Sequence, residues 1–263
     1  MHRIMAIDAI VLAGGRIAGI FARAAGTRVK ALVRVGGKAS VARVVEALAG
    51  VAALRRICVV GPESVREVVS ARAEWLAEAG SALGNLHVGL DRLRREGAGS
   101  ERVLVCGADV PLVTAAAVSD LIARAPAEAD LCLPVVRREA FVATFPGNLG
   151  IYVRLAEGAF TAGSQILARP DVLLANRGLA EPLFRARKSQ LAMARRLGAR
   201  FLWRLVTHRL TLAEIEARAS ELAGCRCRAV LDAAPALAFD LDSVLDLRYA
   251  ERWLARYAGE GSA

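Results

Sequence analysis

The sequence predicts an α/β fold, a Rossmann-like and mainly parallel sheet flanked by helices. Three observations point there. Apolar runs of strand length alternate with segments of helical period, the trace left by strands joined through crossover helices. The first of those runs, "AIVLAGG" at Ala9 to Gly15, ends in paired glycines, as a strand does when it turns sharply at a sheet edge. With 263 residues, 55 % of them apolar, the chain can bury a sizeable core.

Each element follows in order. "AIDAIVLA" (6–13) reads as the first strand. "KASVARVVEALAG" gives a helix from about Val41, with Ser40 as its N-cap and Gly50 as its stop. "RICVVG" (56–61) is a second strand, and Pro62 opens a helix to about Ala79. A further helix spans about Asn85 to Arg95, strand three lies at 102–106, "AAAVSDLIARA" is helical and "ADLCLPVV" (129–136) is strand four. From 137 to 170 the pattern turns turn-rich, with short β-like pieces expected of a surface ribbon or active-site cover. Helices return from about Lys188 to Leu222, with a capping box at Thr211 and Glu214. A strand "RAVLD", an apolar piece "ALAFDLD" and a helix from Val244, capped by Ser243, complete the chain. The whole, 1–263, reads as one domain carrying a basic helical insertion at about 182–224.

Composition narrows the function. No stretch reaches the roughly 18 uncharged apolar residues that a membrane-spanning helix needs. Asp8 interrupts the only segment resembling an export signal. Five cysteines, an odd number, fit a reducing compartment, so the cytoplasm is expected; Cys58, Cys106 and Cys132 sit in apolar runs as core residues. Cys225 and Cys227 have no second pair beside them to complete a zinc site. Of the net charge of +10, eight units fall between Pro182 and Ala213, where no acidic residue occurs. No nucleic-acid motif accompanies them, and no nucleic-acid partner is expected.

The chemistry begins at the glycines. Leu12, Ala13, Gly14 and Gly15 follow a strand, and backbone N–H groups there can meet phosphate oxygens because glycine leaves room for close approach. A tight turn would have the same sequence. Neither G-x-G-x-x-G nor the P-loop pattern is present, which disfavours a dinucleotide-binding oxidoreductase. Arg16 lies in the loop, and Lys30 lies at the far end of a stretch expected to be a flexible loop; both are cations suited to phosphate.

At this point the chain resembles the MobA-like NTP transferases, through Leu12 to Gly15, "KAL" at Lys30 to Leu32 and "GGK" at Gly36 to Lys38. "VLVCGADVPLVT" resembles the family strand that ends in aspartate, at Asp109, and "FDLDSVLDL" resembles its C-terminal acidic element, at Asp242 or else Asp240. The resemblance implies a nucleotide-diphospho-sugar transferase fold of the GT-A type. It implies an NTP held by Leu12, Ala13, Gly14, Gly15 and Lys30, and Mg²⁺ held by Asp109 with Asp242 or Asp240. Lys30, Arg16 and Asp109 would be catalytic, in transfer of a nucleoside monophosphate to a small phosphorylated acceptor with release of pyrophosphate. Gly163, Ser164 and Gln165 sit where such enzymes bring acceptor-binding residues, although a β-turn is the plain alternative. Two departures stand out: Lys30 comes 15 positions after Gly15, and Val244 replaces the usual proline. They point to a branch other than the molybdopterin guanylyltransferases. A non-catalytic nucleotide-binding or regulatory protein on the same fold is the second reading. The basic stretch 185–209, with Phe201, Leu202, Leu205, Val206 and Leu210 near one helical face, reads as a packed helix with a solvated basic side or as a contact for anionic membrane.

Overall fold

β1 (Ile7–Leu12) is the axis of the structure, and its side chains show why. Ile7, Ala9 and Val11 enter one apolar cluster and Ile10 enters another, so both faces of the strand are covered. The computed structural model describes residues 7–95, 101–176 and 198–257. On the first face lie α2 (Ser40–Ala49), α3 (Glu63–Val69) and α5 (Ala115–Arg124), which contribute Val44, Leu48, Val65 and Leu121. On the second lies α4 (Ala82–Arg95) with Leu90 and Leu93, joined by Leu173 and Leu174 of α7 (Pro170–Ala175). The α4 backbone comes so near that a β-carbon on Gly89 would be 2.7 Å from Ile10.

Among the described residues the main sheet has nine strands. β1 pairs in parallel with β4 (Leu54–Gly61) and β6 (Arg102–Gly107), and β5 (Glu74–Ala77) extends the β4 edge. Beyond β6 come β10 (Gln165–Ala168), β7 (Leu131–Arg137), β9 (Gly158–Ala162) and β8 (Val153–Leu155), with β11 (Cys227–Leu231) parallel to β7. Only β9 and β10 run against the rest, so the sheet is mainly parallel as expected. A separate ribbon joins β2 (Arg34–Val35) to β3 (Lys38–Ala39). A third cluster of Val135, Leu155, Phe160 and Leu210 seats α8 (Ala199–Val206) and α9 (Leu212–Ala223). The final helix is α10 (Val244–Tyr257).

Four expectations need correction. The helix after Pro62 stops at Val69, and residues 74–77 form an edge strand instead. The Trp75 indole donates to the carbonyls of Gly61 and Pro62 at 3.1 and 3.2 Å, and pairing with the open edge of β4 outweighs the helical preference of "ARAEWLAEA". Ser40 does not cap α2: it is the first helical residue, and its buried hydroxyl donates to the Ala108 carbonyl at 2.7 Å. The expected flexible loop contains α1 (Gly19–Ala25), closed by Gly26 in the left-handed conformation. The expected surface ribbon at 137–170 includes α6 (Arg138–Thr144) and strand β10, which lies inside the sheet between β6 and β7 with its side chains mostly buried. The capping box at Thr211 and Glu214 is formed.

Candidate active site

The loop 12–15 leaves the carboxyl end of β1 pinned on both sides. Ala13 N–H donates to the Val60 carbonyl at 2.8 Å, and Ala108 N–H donates to the Leu12 carbonyl at 3.2 Å. Among the described residues, the N–H groups of Gly14 and Gly15 donate to no protein acceptor. Gly14 has no room for a side chain, since a β-carbon would be 2.3 Å from Asn85 Nδ2 and 2.9 Å from Glu78 Oε2. Asn85 is buried and fixed, its Oδ1 accepting from Ala79 N–H at 2.7 Å. Gly14→Ala therefore has to displace Asn85, at an expected cost of about 1–3 kcal/mol of stability from overpacking. Urea unfolding checks this, and an unchanged midpoint would mean that Asn85 moves aside at no cost.

The long spacer does not separate Lys30 from the glycines. Lys30 N–H donates to the Gly15 carbonyl at 3.0 Å, Ile17 N–H donates to the Arg28 carbonyl at 2.9 Å, and Arg16 bridges Val29. The chain goes out through α1 and returns, so a separation of 15 positions becomes direct contact. Arg16 is in the loop as expected, but its guanidinium is engaged by the Glu78 carboxylate and the Gly14 carbonyl.

Asp109 follows β6, its carboxylate folded over Gly107, where a β-carbon would be 2.4 Å from Oδ1. Leu241 N–H donates to the Asp109 carbonyl at 2.9 Å, which ties the C-terminal acidic element to the end of β6. Asp242 precedes α10. Val244 needs no proline there, because Ser243 and Asp246 cap each other: Asp246 N–H donates to Ser243 Oγ at 3.3 Å and the hydroxyl donates to Asp246 Oδ2 at 2.8 Å. The Lys30 ammonium is 2.5 Å from Asp109 Oδ2 and 2.5 Å from Asp242 Oδ1. Burial alone would lower the Lys30 pKa, but the two carboxylates outweigh it and hold the pKa above its ordinary value.

Asp240 lies deeper. Burial first, and the Asp109 charge second, push its pKa up to about 7, against the Ser164 hydroxyl that donates to it at 2.5 Å. The sign of the pH effect follows. An unfolded chain ionises this carboxyl near pH 4 while the folded one keeps its proton to about pH 7, so the nucleotide-free protein loses stability as pH rises through that window. Asp240→Asn should remove that part of the slope; urea midpoints from pH 4 to pH 8 measure it, and parallel slopes in both proteins would reject it.

Gly163 and Ser164 form the break between β9 and β10, and Gln165 opens β10. Pairing with β7 slips by two residues there, from Val135↔Ala162 to Cys132↔Leu167. The slip lets Ser164 reach Asp240, while Ser164 N–H donates to the Leu237 carbonyl at 3.0 Å. Gly163 packs too closely on Pro134 and the Leu237 carbonyl for any side chain. Gln165 is fully buried, with its amide N–H group facing Cys106 Sγ at 3.8 Å.

A model of the MobA-like NTP transferase domain matches residues 9–234. The chain belongs to that family. A hypothetical transferase from Thermus thermophilus is 38 % identical, with a TM-score of 0.82, the match covering 92 % of this chain and 100 % of that one. Two more distant structures share the fold: a nucleotidyl transferase from Methanothermobacter (17 % identity, TM-score 0.54, 95 % and 98 % covered) and a CMP:2-keto-3-deoxy-manno-octonic acid synthetase complexed with CTP (15 % identity, TM-score 0.57, 95 % and 98 % covered). No curated protein matches the chain.

In this MobA-like NTP transferase, Glu78 and Asn85 also lie against the glycine loop, and the sequence did not point to them. Glu78 follows β5 and Asn85 lies near the start of α4, and reading a helix to Ala79 hid the strand that places Glu78. Of the basic stretch, Arg185, Arg187, Lys188, Arg195 and Arg196 lie outside the described residues. Arg204 pairs with Glu214, and Arg209 stacks over Trp203. Phe201 and Leu205 pack on the third cluster, but Val206 is exposed, because α8 ends there and Leu210 reaches the cluster from the following turn. No helix among the described residues is long and apolar enough to cross a membrane.

Proposed function

We propose that the protein is a Mg²⁺-dependent nucleotidyltransferase that moves a nucleoside monophosphate from an NTP to a small phosphorylated acceptor and releases pyrophosphate. One observation carries the proposal: Lys30 gathers Asp109 and Asp242 directly beside the Gly14–Gly15 loop. Carboxylates, a lysine cation and N–H donors without an acceptor among the described residues thus lie at one end of the sheet, where open α/β folds bind nucleotides.

The donor set fits Mg²⁺. Among the described residues no cluster of three or more His, Cys, Asp or Glu side chains stands ready for a metal, which disfavours a closed protein cage. Mg²⁺ is instead typically bound by one or two hard carboxylates together with substrate phosphates, and Asp109 and Asp242 supply those. When bound, the ion would offset the charge that builds on the phosphates during transfer.

The chain's own residues do the rest. Gly14 and Gly15 offer N–H groups to phosphate oxygens, and Lys30 neutralises the departing charge. Glu78 and Asn85 fix the loop by holding Arg16 and by packing against Gly14. The acceptor phosphate is already ionised, so its oxygen attacks the α-phosphorus without a protein base. A new P–O bond forms, and the bond to the β-phosphate oxygen breaks with its electrons leaving on pyrophosphate. Catalysis is then positioning plus charge stabilisation.

The test is a thermal-shift screen of the four NTPs with Mg²⁺, followed by pyrophosphate release with phosphorylated acceptors. One NTP at a hundredfold excess over its Kd should stabilise the protein by about 2.7 kcal/mol. No shift with any NTP would overturn the reading. A selective shift without pyrophosphate release from any acceptor would favour a nucleotide-binding regulator instead. Contact with anionic membrane through 185–209 belongs to the same proposal, and co-sedimentation with anionic vesicles at low salt decides it.

A further inference from the structure

Lys30 sits between the two carboxylates that the proposed function gives to Mg²⁺. Its ammonium is 2.5 Å from each of two carboxylates, one on the β6 loop and one ahead of α10. The Lys30 side chain is 16 % exposed, whereas Asp242 is 73 % exposed, so the opening to solvent is on the Asp242 side. A Mg²⁺ ion drawing on both carboxylates would compete with this ammonium for their negative charge. An ammonium and a divalent ion cannot both fill that space, because like charges at contact repel strongly where burial limits solvent screening.

The lysine backbone is held by Lys30 N–H on the Gly15 carbonyl and by Val33 N–H on the Lys30 carbonyl. Its stem runs along Gly15, whose missing side chain would have stood 3.4 Å from Lys30 Cβ and 3.6 Å from Cδ. The stem is therefore in contact with the glycine loop, whose Gly14 and Gly15 N–H groups have no acceptor among the described residues. The neighbouring cations do not compete for the carboxylates: Arg16 is held by Glu78 and Lys38 by Glu46.

We infer that Lys30 is an exchangeable plug, filling the cation position between Asp109 and Asp242 until a triphosphate draws its ammonium away, so that the site takes the divalent ion as a metal–nucleotide complex and not as the bare ion. This rests on the nucleotidyl-transfer reading above. It makes metal and nucleotide binding positively coupled, and linkage requires the coupling to be equal in both directions.

Mn²⁺ serves as the probe, counted as protein-bound ion by paramagnetic resonance with and without a non-hydrolysable NTP analogue, and corrected for ion held by free nucleotide. Wild type should bind Mn²⁺ weakly alone and tightly with the analogue. Lys30→Ala and Lys30→Met should bind Mn²⁺ alone on the order of tenfold tighter than wild type, the lower end of what one adjacent charge does to a carboxylate's affinity for a cation. Their coupling to the analogue should shrink. Equal Mn²⁺ affinity in wild type and both variants, with wild type still taking up Mn²⁺ with the analogue, overturns the plug and leaves the metal reading intact. No uptake by wild type with the analogue, or uptake unchanged by Asp109→Asn, overturns the metal reading and the plug with it. Should the variants fail to fold, nitrogen NMR of the Lys30 ammonium in wild type decides. Its signal should move with Mg²⁺ plus analogue and stay with Mg²⁺ alone, and movement with Mg²⁺ alone overturns the plug.

Discussion

On the proposed mechanism Asp109→Asn should lower the rate of pyrophosphate release by about a thousandfold, the loss expected when one charge-stabilising group is removed from a preorganised site. The substitution keeps the shape of the side chain and removes only its charge. Asp109 is a direct partner of Lys30 and, through its backbone carbonyl, the anchor of Leu241. Asparagine keeps the anchor and weakens the ion pair, so the fold should hold while the chemistry fails. The measurement is kcat and KM at saturating Mg²⁺, with the thermal midpoint alongside. The fall should be in kcat, since the lost interaction strengthens as charge develops on the transferring phosphate. A rate within a factor of a few of wild type would remove Asp109 from the mechanism.

Much of the fold was legible because of where its strands lie. β1, β4, β6 and β7 are buried in the middle of the sheet, so each appears as a short apolar run bounded by turn residues. β5 was not legible: it lies at the edge, half of it is exposed, and only the neighbour β4 decides that residues 74–77 are extended. β10 was missed for a different reason. Its place between β6 and β7 comes from a long-range reversal through the break at Gly163 and Ser164, which no local pattern encodes. The site divides the same way. Lys30, Asp109 and Asp242 could be named from motifs, and the structure brings them together. Glu78 and Asn85 could not, because their contact with the glycine loop exists only once β5 is a strand. The spacer between Gly15 and Lys30 was misread as slack chain, since a helix of seven residues between two bridge-forming segments leaves little periodicity to see.

Phe145→Ala should cost about 3–5 kcal/mol, the range for truncating a fully buried aromatic, and it tests how the second carboxylate is held. Phe145 has no exposed surface, and its ring lies 5.2 Å from Phe141, 5.1 Å from Phe239 and 5.4 Å from Trp253. The backbone on either side is bound by α10: the Trp253 indole donates to the Thr144 carbonyl at 3.2 Å, and the Tyr249 hydroxyl donates to the Pro146 carbonyl at 3.1 Å. Phe239 is the residue before Asp240, and α10 begins two residues after Asp242. The aromatic cluster therefore packs against the chain on both sides of the acidic residues, at Phe239 and on α10. Truncating Phe145 leaves a void that Phe239 and Trp253 move to fill, and Asp242 moves with them. A shift of about 1 Å in a reacting group costs on the order of a hundredfold in rate, so the folded fraction of the variant should also be slow. Urea unfolding gives the stability and pyrophosphate release gives the rate. Phe145→Leu, which refills most of the void, should recover part of both together. Recovery of stability without recovery of rate would mean that Asp242 is positioned by Ser243 and Asp246 alone, and that the cluster is packing with no hold on the site.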